Sequence, residues 1–408
     1  MKKGWEIKKL GDVYDVRDGT HDSPKYIKEG FALITSKNLK NDALNYDNVN
    51  YITEQDYINI NKRSKVDVGD VLFAMIGTIG NPIVIKDEPN FAIKNVALFK
   101  IPRKQDSYFL KYYLDSKVVI DRMSKDAKGA TQKFVGLGYL RNFEIPLPPL
   151  PEQQRIVAIL DEAFAAIAKA KANAEQNLKN AKALFESYLQ GVFNSEVSAE
   201  KGWEEKCLDE LGVITSSKRI YKSEYVKKGV PFYRTKEIKE LSNSKEISLE
   251  LFISKERYEE IKRSFGVPKI GDLLMSAVGT IGEIMVIENE EEFYFKDGNI
   301  VWFKGFESLN INYLKYALTA FVEKIKNLAI GAAYSALTIE KLNRYKIAFP
   351  KSLTEQLTIV QKLDALSAET KKLETIYQKK INDLDVLKKS ILQKAFSGEL
   401  KTSKEAVA

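Results

Sequence analysis

Residues 152–197 run for 46 positions without a proline, and their apolar side chains return at steps of three and four. Leu160, Ala163, Ile167, Ala170, Ala174, Ala181, Leu184 and Tyr188 mark one stripe, with polar Asn177 in its single gap. A second such segment occupies 355–400, with Ile359, Leu363, Leu366, Thr370, Leu373, Tyr377, Leu384, Leu387 and Ile391 in its stripe. Glu152-Gln153, Ile156-Val157, Leu160-Asp161 and Leu189-Gln190 recur 203 residues later as Glu355-Gln356, Ile359-Val360, Leu363-Asp364 and Leu392-Gln393. A heptad-like seam needs a partner. The small first seam and the larger second seam suit each other, so the two helices are expected to pair within the chain as an antiparallel coiled coil. At about 1.5 Å per residue each is roughly 65–70 Å long, enough to set a distance between two domains. Two ordinary core helices are the alternative, and their length speaks against it.

The stretches before the helices are also duplicated. Val68–Gly80, VGDVLFAMIGTIG, matches Ile270–Gly282, IGDLLMSAVGTIG, at an offset of 202. Gly-Asp reads as a turn, the apolar run as a buried strand, and Gly-Thr-Ile-Gly as the next turn. Strands are expected at Ile83–Ile85, Phe91–Ile101, Ile284–Ile287 and Phe293–Phe303, and helices at Ser107–Ser124 and Ile311–Leu328. Each half then passes a Gly-Ala loop, KGATQK at 128–133 or IGAAYS at 330–335, and a last strand, Phe143–Leu147 or Tyr345–Phe349. Pro151 suits the first helical position of the first long helix and Thr354 the N-cap of the second. Asn194 and Gly398 suit the ends. The fold expected is α/β (α+β): two tandem domains, each followed by a long helix, with a pseudo-two-fold internal repeat. The divisions are a first domain at 1–150, a helix at 151–199, a second domain at 200–352, and a helix with tail at 353–408.

Composition removes several chemistries. His21 is the only histidine and Cys207 the only cysteine, so neither a multi-histidine metal site nor a disulfide framework is possible. No apolar run approaches a membrane span and no secretory leader is visible, which points to a cytoplasmic protein. The formal charge of +8 permits nucleic-acid binding without proving it. The glycine pattern lacks the lysine of a phosphate-binding loop and is not G-x-G-x-x-G. Asn81-Pro82-Ile83-Val84 lacks the second proline and the aromatic residue of an amino-methyltransferase motif, and no Pro-Asp pair exists to begin a P-D…[DE]-x-K nuclease motif. Glu290-Glu291-Glu292 reads as a solvated turn. No catalytic constellation emerges.

Taken together, the duplicated plan, the opening GWE…LGD, GD-[LV]-L…GTIG in both halves and P-x-P-x-x-EQ-x-x-IV-x-x-LD at the first long helix resemble the specificity subunits of type I restriction–modification systems. DGTHDSP at 18–24 resembles a segment often found in them, whereas FPKSLTEQ departs by lacking the paired prolines. The resemblance covers essentially the whole chain. It implies two DNA target recognition domains, each reading half of a split sequence, and helices that set the spacing. It further implies docking of two methyltransferase (M) subunits and association with restriction (R) subunits. S-adenosylmethionine, ATP and Mg would sit on those partners, and this chain would catalyse nothing. A coiled-coil scaffold whose domains bind protein partners is the alternative.

Loop position nominates the DNA-facing residues, because loops on a shared scaffold are where recognition varies. In the first half these are Thr20, His21, Ser36, Lys37, Asn38, Thr78, Lys128, Thr131, Gln132 and Lys133. In the second they are Ser217, Lys218, Arg219, Arg234, Thr235, Lys236, Thr280, Tyr334 and Ser335.

Overall fold

The computed structural model describes residues 4–130, 132–194, 201–243, 245–328 and 337–400. The chain divides into two units, one made of 1–175 with 378–408 and the other of 176–377. Each long helix, Leu150–Val192 and Leu353–Ser397, is therefore shared between both units.

The first unit is built on a four-stranded antiparallel sheet. Its order is Asp15–Asp18, Val96–Lys100, Val71–Ala74, Gly80–Val84. Val71, Phe73, Ala97 and Phe99 face one core, with Ile156 and Leu160 of the first long helix. Their neighbours Leu72, Ala74, Val96 and Leu98 face a second core, with Ile34 and Ile93. Alternate side chains leave a strand on opposite faces, so a sheet covered on both sides needs an unbroken apolar run. That is why VLFAM does not alternate with polar residues. The second cover is a smaller sheet, Asn50–Ile52, Phe31–Ile34, Phe91–Ile93, whose last pair is parallel.

Two expected elements are each two. The strand expected at Phe91–Ile101 ends at Ile93 and restarts at Val96, so its halves lie in different sheets. Asn95, at φ 55°, makes the break, a backbone state that asparagine tolerates. The helix expected at Ser107–Ser124 breaks at Ser116, whose extended backbone separates Ser107–Asp115 from Lys117–Asp126.

The second unit repeats the plan. Val213–Thr215, Ile300–Lys304, Leu273–Ser276 and Ile284–Val286 form its four-stranded sheet. The strand expected at Phe293–Phe303 is likewise split, into Tyr294–Phe295 and Ile300–Lys304.

Within each unit the helix segments pack antiparallel. In the first, Ile156 and Leu160, near the start of one helix, share a core with Leu392 and Ala395, near the end of the other. Lys171 Nζ meets Asp385 Oδ1 at 2.7 Å. In the second, Leu189 shares a core with Val360 and Leu363. Leu160, Ile167, Ala174 and Ala181 are buried at intervals of seven, as a supercoiled seam requires. The seam differs from expectation at three positions: Leu184, Tyr188 and Leu387 are exposed. Phe185 and Leu189 replace the first two because the helix there packs on the second domain.

The Glu-Gln and Leu-Asp pairs acquire a physical role. Gln153, fully buried, accepts from the Asp106 N–H at 3.0 Å and donates to the Pro148 carbonyl at 2.8 Å. Gln356, also fully buried, accepts from the Asn310 N–H at 2.7 Å and donates to the Pro350 carbonyl at 2.8 Å. Tyr112 donates to Asp161 and Tyr316 to Asp364, both at 2.5 Å. Each helix root is thus clipped to its own domain. Ser352, rather than Thr354, caps the second helix: its Oγ accepts from the Glu355 N–H at 3.4 Å.

The Gly-Asp pair closes a turn on both sides of the repeat. Asp70 accepts from the Asp67 N–H at 2.7 Å, and Asp272 from the Lys269 N–H at 2.9 Å. Asp272 also receives the Trp302 indole N–H at 2.9 Å. Burial nevertheless lifts the Asp272 carboxyl above the ordinary carboxylate range. A raised acid holds its proton more tightly folded than unfolded. Its contribution is fully present below the unfolded value and is lost as pH rises through the folded one. Asp272→Asn keeps an oxygen for both donors and removes the charge. The variant is expected to match or exceed the parent at pH 7 and to lose part of the stability decline that the parent shows as pH rises above the ordinary carboxylate range, as urea melts at acidic and neutral pH would show. A large loss at pH 7 would contradict the assignment.

Candidate nucleic-acid interface

Antiparallel pairing brings four chain segments to one end of each main sheet. In the first domain, Asp15–Asp18 and Val71–Ala74 finish there, while Val96–Lys100 and Gly80–Val84 begin there. Phe31–Ile34 and Phe91–Ile93 finish beside them, since the Lys94 N–H donates to the Ile34 carbonyl at 2.8 Å. The loops 19–24, 35–38, 75–79 and 94–95 are thus neighbours, although 75 residues separate the most distant.

Thr20 and His21 leave the edge strand and are tied to the 94–95 connection. The Gly19 N–H donates to the Val96 carbonyl and the Thr20 N–H to the Ile93 carbonyl, both at 3.0 Å. His21 Nδ1 lies 2.8 Å from Asn95 Oδ1, and Nε2 lies 2.8 Å from Asp18 Oδ2. Asp18 is buried and also receives Arg63 on its other oxygen. Ser36 Oγ donates to the Asn95 carbonyl at 3.3 Å, and Lys37 is exposed. Asn38 is different: its Oδ1 accepts from the Thr35 N–H and hydroxyl, and its Nδ2 donates to the Asn45 carbonyl. Buried with these bonds made, it holds the loop's shape and offers no free edge to a base.

Thr78 sits exposed on the Gly77–Gly80 turn, between glycines at φ 78° and 128°. Lys128, Gln132 and Lys133 join it. Residues 128 and 134 exchange two backbone hydrogen bonds, and the Gly77 N–H donates to the Lys133 carbonyl at 2.8 Å. A Cβ on Gly129 would meet the Gln132 carbonyl oxygen at 2.2 Å, so the tight loop requires glycine there. Thr131 lies outside the described residues.

The second domain gathers the corresponding segments. Val213–Thr215 and Leu273–Ser276 finish where Ile300–Lys304 and Ile284–Val286 begin. The Lys218 N–H donates to the Tyr294 hydroxyl at 2.7 Å, and Lys218 Nζ stands 4.6 Å from the Phe265 ring centre. Ser217 Oγ is out of water and has no hydrogen-bond partner among the described residues. Arg219 Nε donates to Asp297 Oδ2 at 2.7 Å. Arg234 is engaged twice, by Glu237 at 2.6 Å and Glu250 at 2.8 Å, and Lys236 by Glu250 at 2.9 Å. Thr235 opens the helix Thr235–Ser242, and Thr280 is exposed on its turn. Tyr334 and Ser335 lie outside the described residues.

Three groups at these ends escaped the loop-based reading. Lys94 and Lys296 each follow the parallel strand and donate their N–H to the neighbouring strand end, the Ile34 or Tyr233 carbonyl. Their offset of 202 carried the signal. Arg63 closes the helix Glu54–Ser64, and nothing local in the sequence connects it with Asp18. Among the described residues no group of three His, Cys, Asp or Glu side chains is placed to hold a metal ion. No described helix is long and apolar enough to cross a membrane.

A family model described as the type I restriction modification DNA specificity domain matches residues 2–179 and again 200–383. The chain belongs to this family. A putative type I restriction enzyme specificity subunit of Haemophilus influenzae is 30% identical, over 65% of this chain and 66% of that protein. The putative MjaX specificity subunit of Methanocaldococcus jannaschii is 23% identical, over 98% of this chain and 95% of that one. Two solved structures share the fold. One, from work on complex assembly and conformational transition of the type I R-M system, has a TM-score of 0.77 at 21% identity and covers 98% of this chain and 99% of its own. The other, the HsdS subunit of Thermoanaerobacter tengcongensis, has a TM-score of 0.63 at 21% identity and covers 98% of both. As a type I specificity subunit the chain carries two tandem specificity domains, one per repeat, and a pair of long helices. The family is one of DNA recognition.

Proposed function

We propose that this chain is the non-catalytic reader of a split double-stranded DNA target, each domain reading one half. The observation that carries the reading is the convergence, in both repeats, of the same loops at one sheet end with different side chains on them. His21 and Gln132 in one domain and Arg219 and Lys218 in the other present different donors and acceptors, while Thr78 and Thr280 are common to both. A common scaffold with divergent loops suits two unlike half-sites, and the lysines would supply sequence-independent phosphate contacts.

The long helices set the spacing between half-sites and dock two methyltransferase subunits, with restriction subunits completing the nuclease. The methyl donor, ATP and Mg belong to those partners, and the complex works in the cytoplasm. Methylation-aware sequencing of the source cell's DNA, with the gene intact and deleted, tests this reading. A gapped adenine-methylation motif that disappears on deletion supports it; methylation unaffected by deletion overturns it. Spacing has its own test. Four residues inserted near Ala174, about one helical turn, are expected to change the gap or abolish recognition, and an unchanged gap removes the ruler role.

A further inference from the structure

The two repeats can be aligned through their sheets rather than their loops. Phe99 pairs with Val71 and Phe303 with Leu273, each partner directly following the Gly-Asp turn. Val16 pairs with Phe99 and Ile214 with Phe303, so Val16 and Ile214 are equivalent. Five residues further on stand His21 and Arg219, each bonded to the connection that enters the central strand. Both domains therefore place a nitrogen-bearing side chain at one structural position, and differ in what they leave free.

In the first domain both ring nitrogens of His21 lie against oxygens, of Asn95 and Asp18. In the second, Ser216 takes the place of Asp18. Arg219 keeps one acidic partner, Asp297, whose carboxylate is 16% exposed and binds only Nε. The Arg219 side chain is 65% exposed, and no described residue places an acceptor on its two terminal nitrogens. A carboxylate on Nε fixes the plane of the fork and turns its far edge outward. That edge has two parallel N–H donors. Guanine offers two adjacent acceptors, O6 and N7, in the major groove; adenine replaces one with a donor.

We propose that Arg219 reads a guanine in the half-site of the second domain, with Asp297 as its positioning residue. The inference rests on the two-domain reading above. It predicts one position where guanine is preferred by on the order of ten- to hundredfold.

The test uses the full chain with its modification subunits and a DNA library randomised over both half-sites, scored by methylation. The parent complex is expected to select guanine at one position of that half-site. Arg219→Ala is expected to accept any base there, with the other half-site unchanged. Arg219→Lys keeps the charge without the fork and is expected to weaken the preference without abolishing it, while still binding DNA. Asp297→Asn is expected to weaken the preference partway at an unchanged melting temperature. A uniform loss across all sequences with Arg219→Ala would make Arg219 a phosphate contact and overturn the proposal. A split motif left intact by Arg219→Ala overturns this inference alone. A parent complex with no split motif overturns the two-domain reading and this inference with it.

Discussion

Replacing Gln356 with leucine is expected to lower stability by about 4 kcal/mol. The side chain is fully buried where the second long helix leaves its domain. It accepts from the Asn310 N–H and donates to the Ser308 and Pro350 carbonyls. Leucine fills similar volume but leaves one backbone donor and two acceptors in an apolar setting, at about 1–3 kcal/mol for each group left unmet. Gln153→Leu should act similarly on the first unit, where the same geometry meets Asp106, Gln105 and Pro148. Urea melts followed by tryptophan fluorescence report the loss, since Trp203 and Trp302 lie in the second unit and Trp5 in the first. A change below about 1 kcal/mol would mean that the glutamine is not the clip between helix and domain.

Gly19→Ala is expected to reduce methylation directed by the first half-site at least tenfold while the second half-site is still selected. Gly19 is buried at the start of the 19–24 loop. A Cβ there would stand 2.2 Å from the Ile93 carbonyl oxygen and 2.7 Å from the Lys94 nitrogen. Both obstacles are backbone, so no rotamer change relieves the overlap. The loop must withdraw, and the Gly19 and Thr20 hydrogen bonds to Val96 and Ile93 stretch with it. Overpacking of this kind costs about 1–3 kcal/mol. A loss of about 1.4 kcal/mol in transition-state binding is already tenfold in rate. Thr20 and His21 are carried with the loop. Gly138→Ala is the control, because its Cβ meets nothing within 4 Å. Methylation at the parental level by the Gly19 variant would show that the loop does not touch DNA in that half-site.

Much of the architecture was legible because it depends on local rules. Heptad spacing marks a seam wherever it occurs, and Leu160, Ile167, Ala174 and Ala181 are buried as their spacing implies. The glycines of Gly-Thr-Ile-Gly adopt positive φ in both repeats, a conformation that side chains resist. Duplication was readable without any structure, since an offset near 202 recurs from the first glycine turn to the last loop. The breaks at Asn95 and Ser116 were not legible. Each lies inside a stretch whose apolar pattern fits a single element: the strand halves at Asn95 pair in different sheets, and both helices flanking Ser116 pack on one core, so nothing in the pattern changes across either break.

The candidate interface divides along the same line. Loop position alone nominated Thr20, His21, Thr78, Lys128, Gln132 and Arg219, because a loop at a sheet end is foreseeable from the strands it joins. Which of these side chains remain free was decided by tertiary structure. Asn38 and Arg234 have the right chemistry, yet Thr35 and Asn45 occupy the first, while Glu237 and Glu250 occupy the second. Arg63 joins the set only through its ion pair with Asp18, and Lys94 through the pairing of its strand with the end of Phe31–Ile34. By itself the sequence determined a twice-built chain with paired long helices, since periodicity and turn chemistry are properties of neighbours. The fold alone decided what each loop presents, since the partner of Arg219 stands 78 residues away at Asp297, where antiparallel strands, and no spacing rule, bring them together.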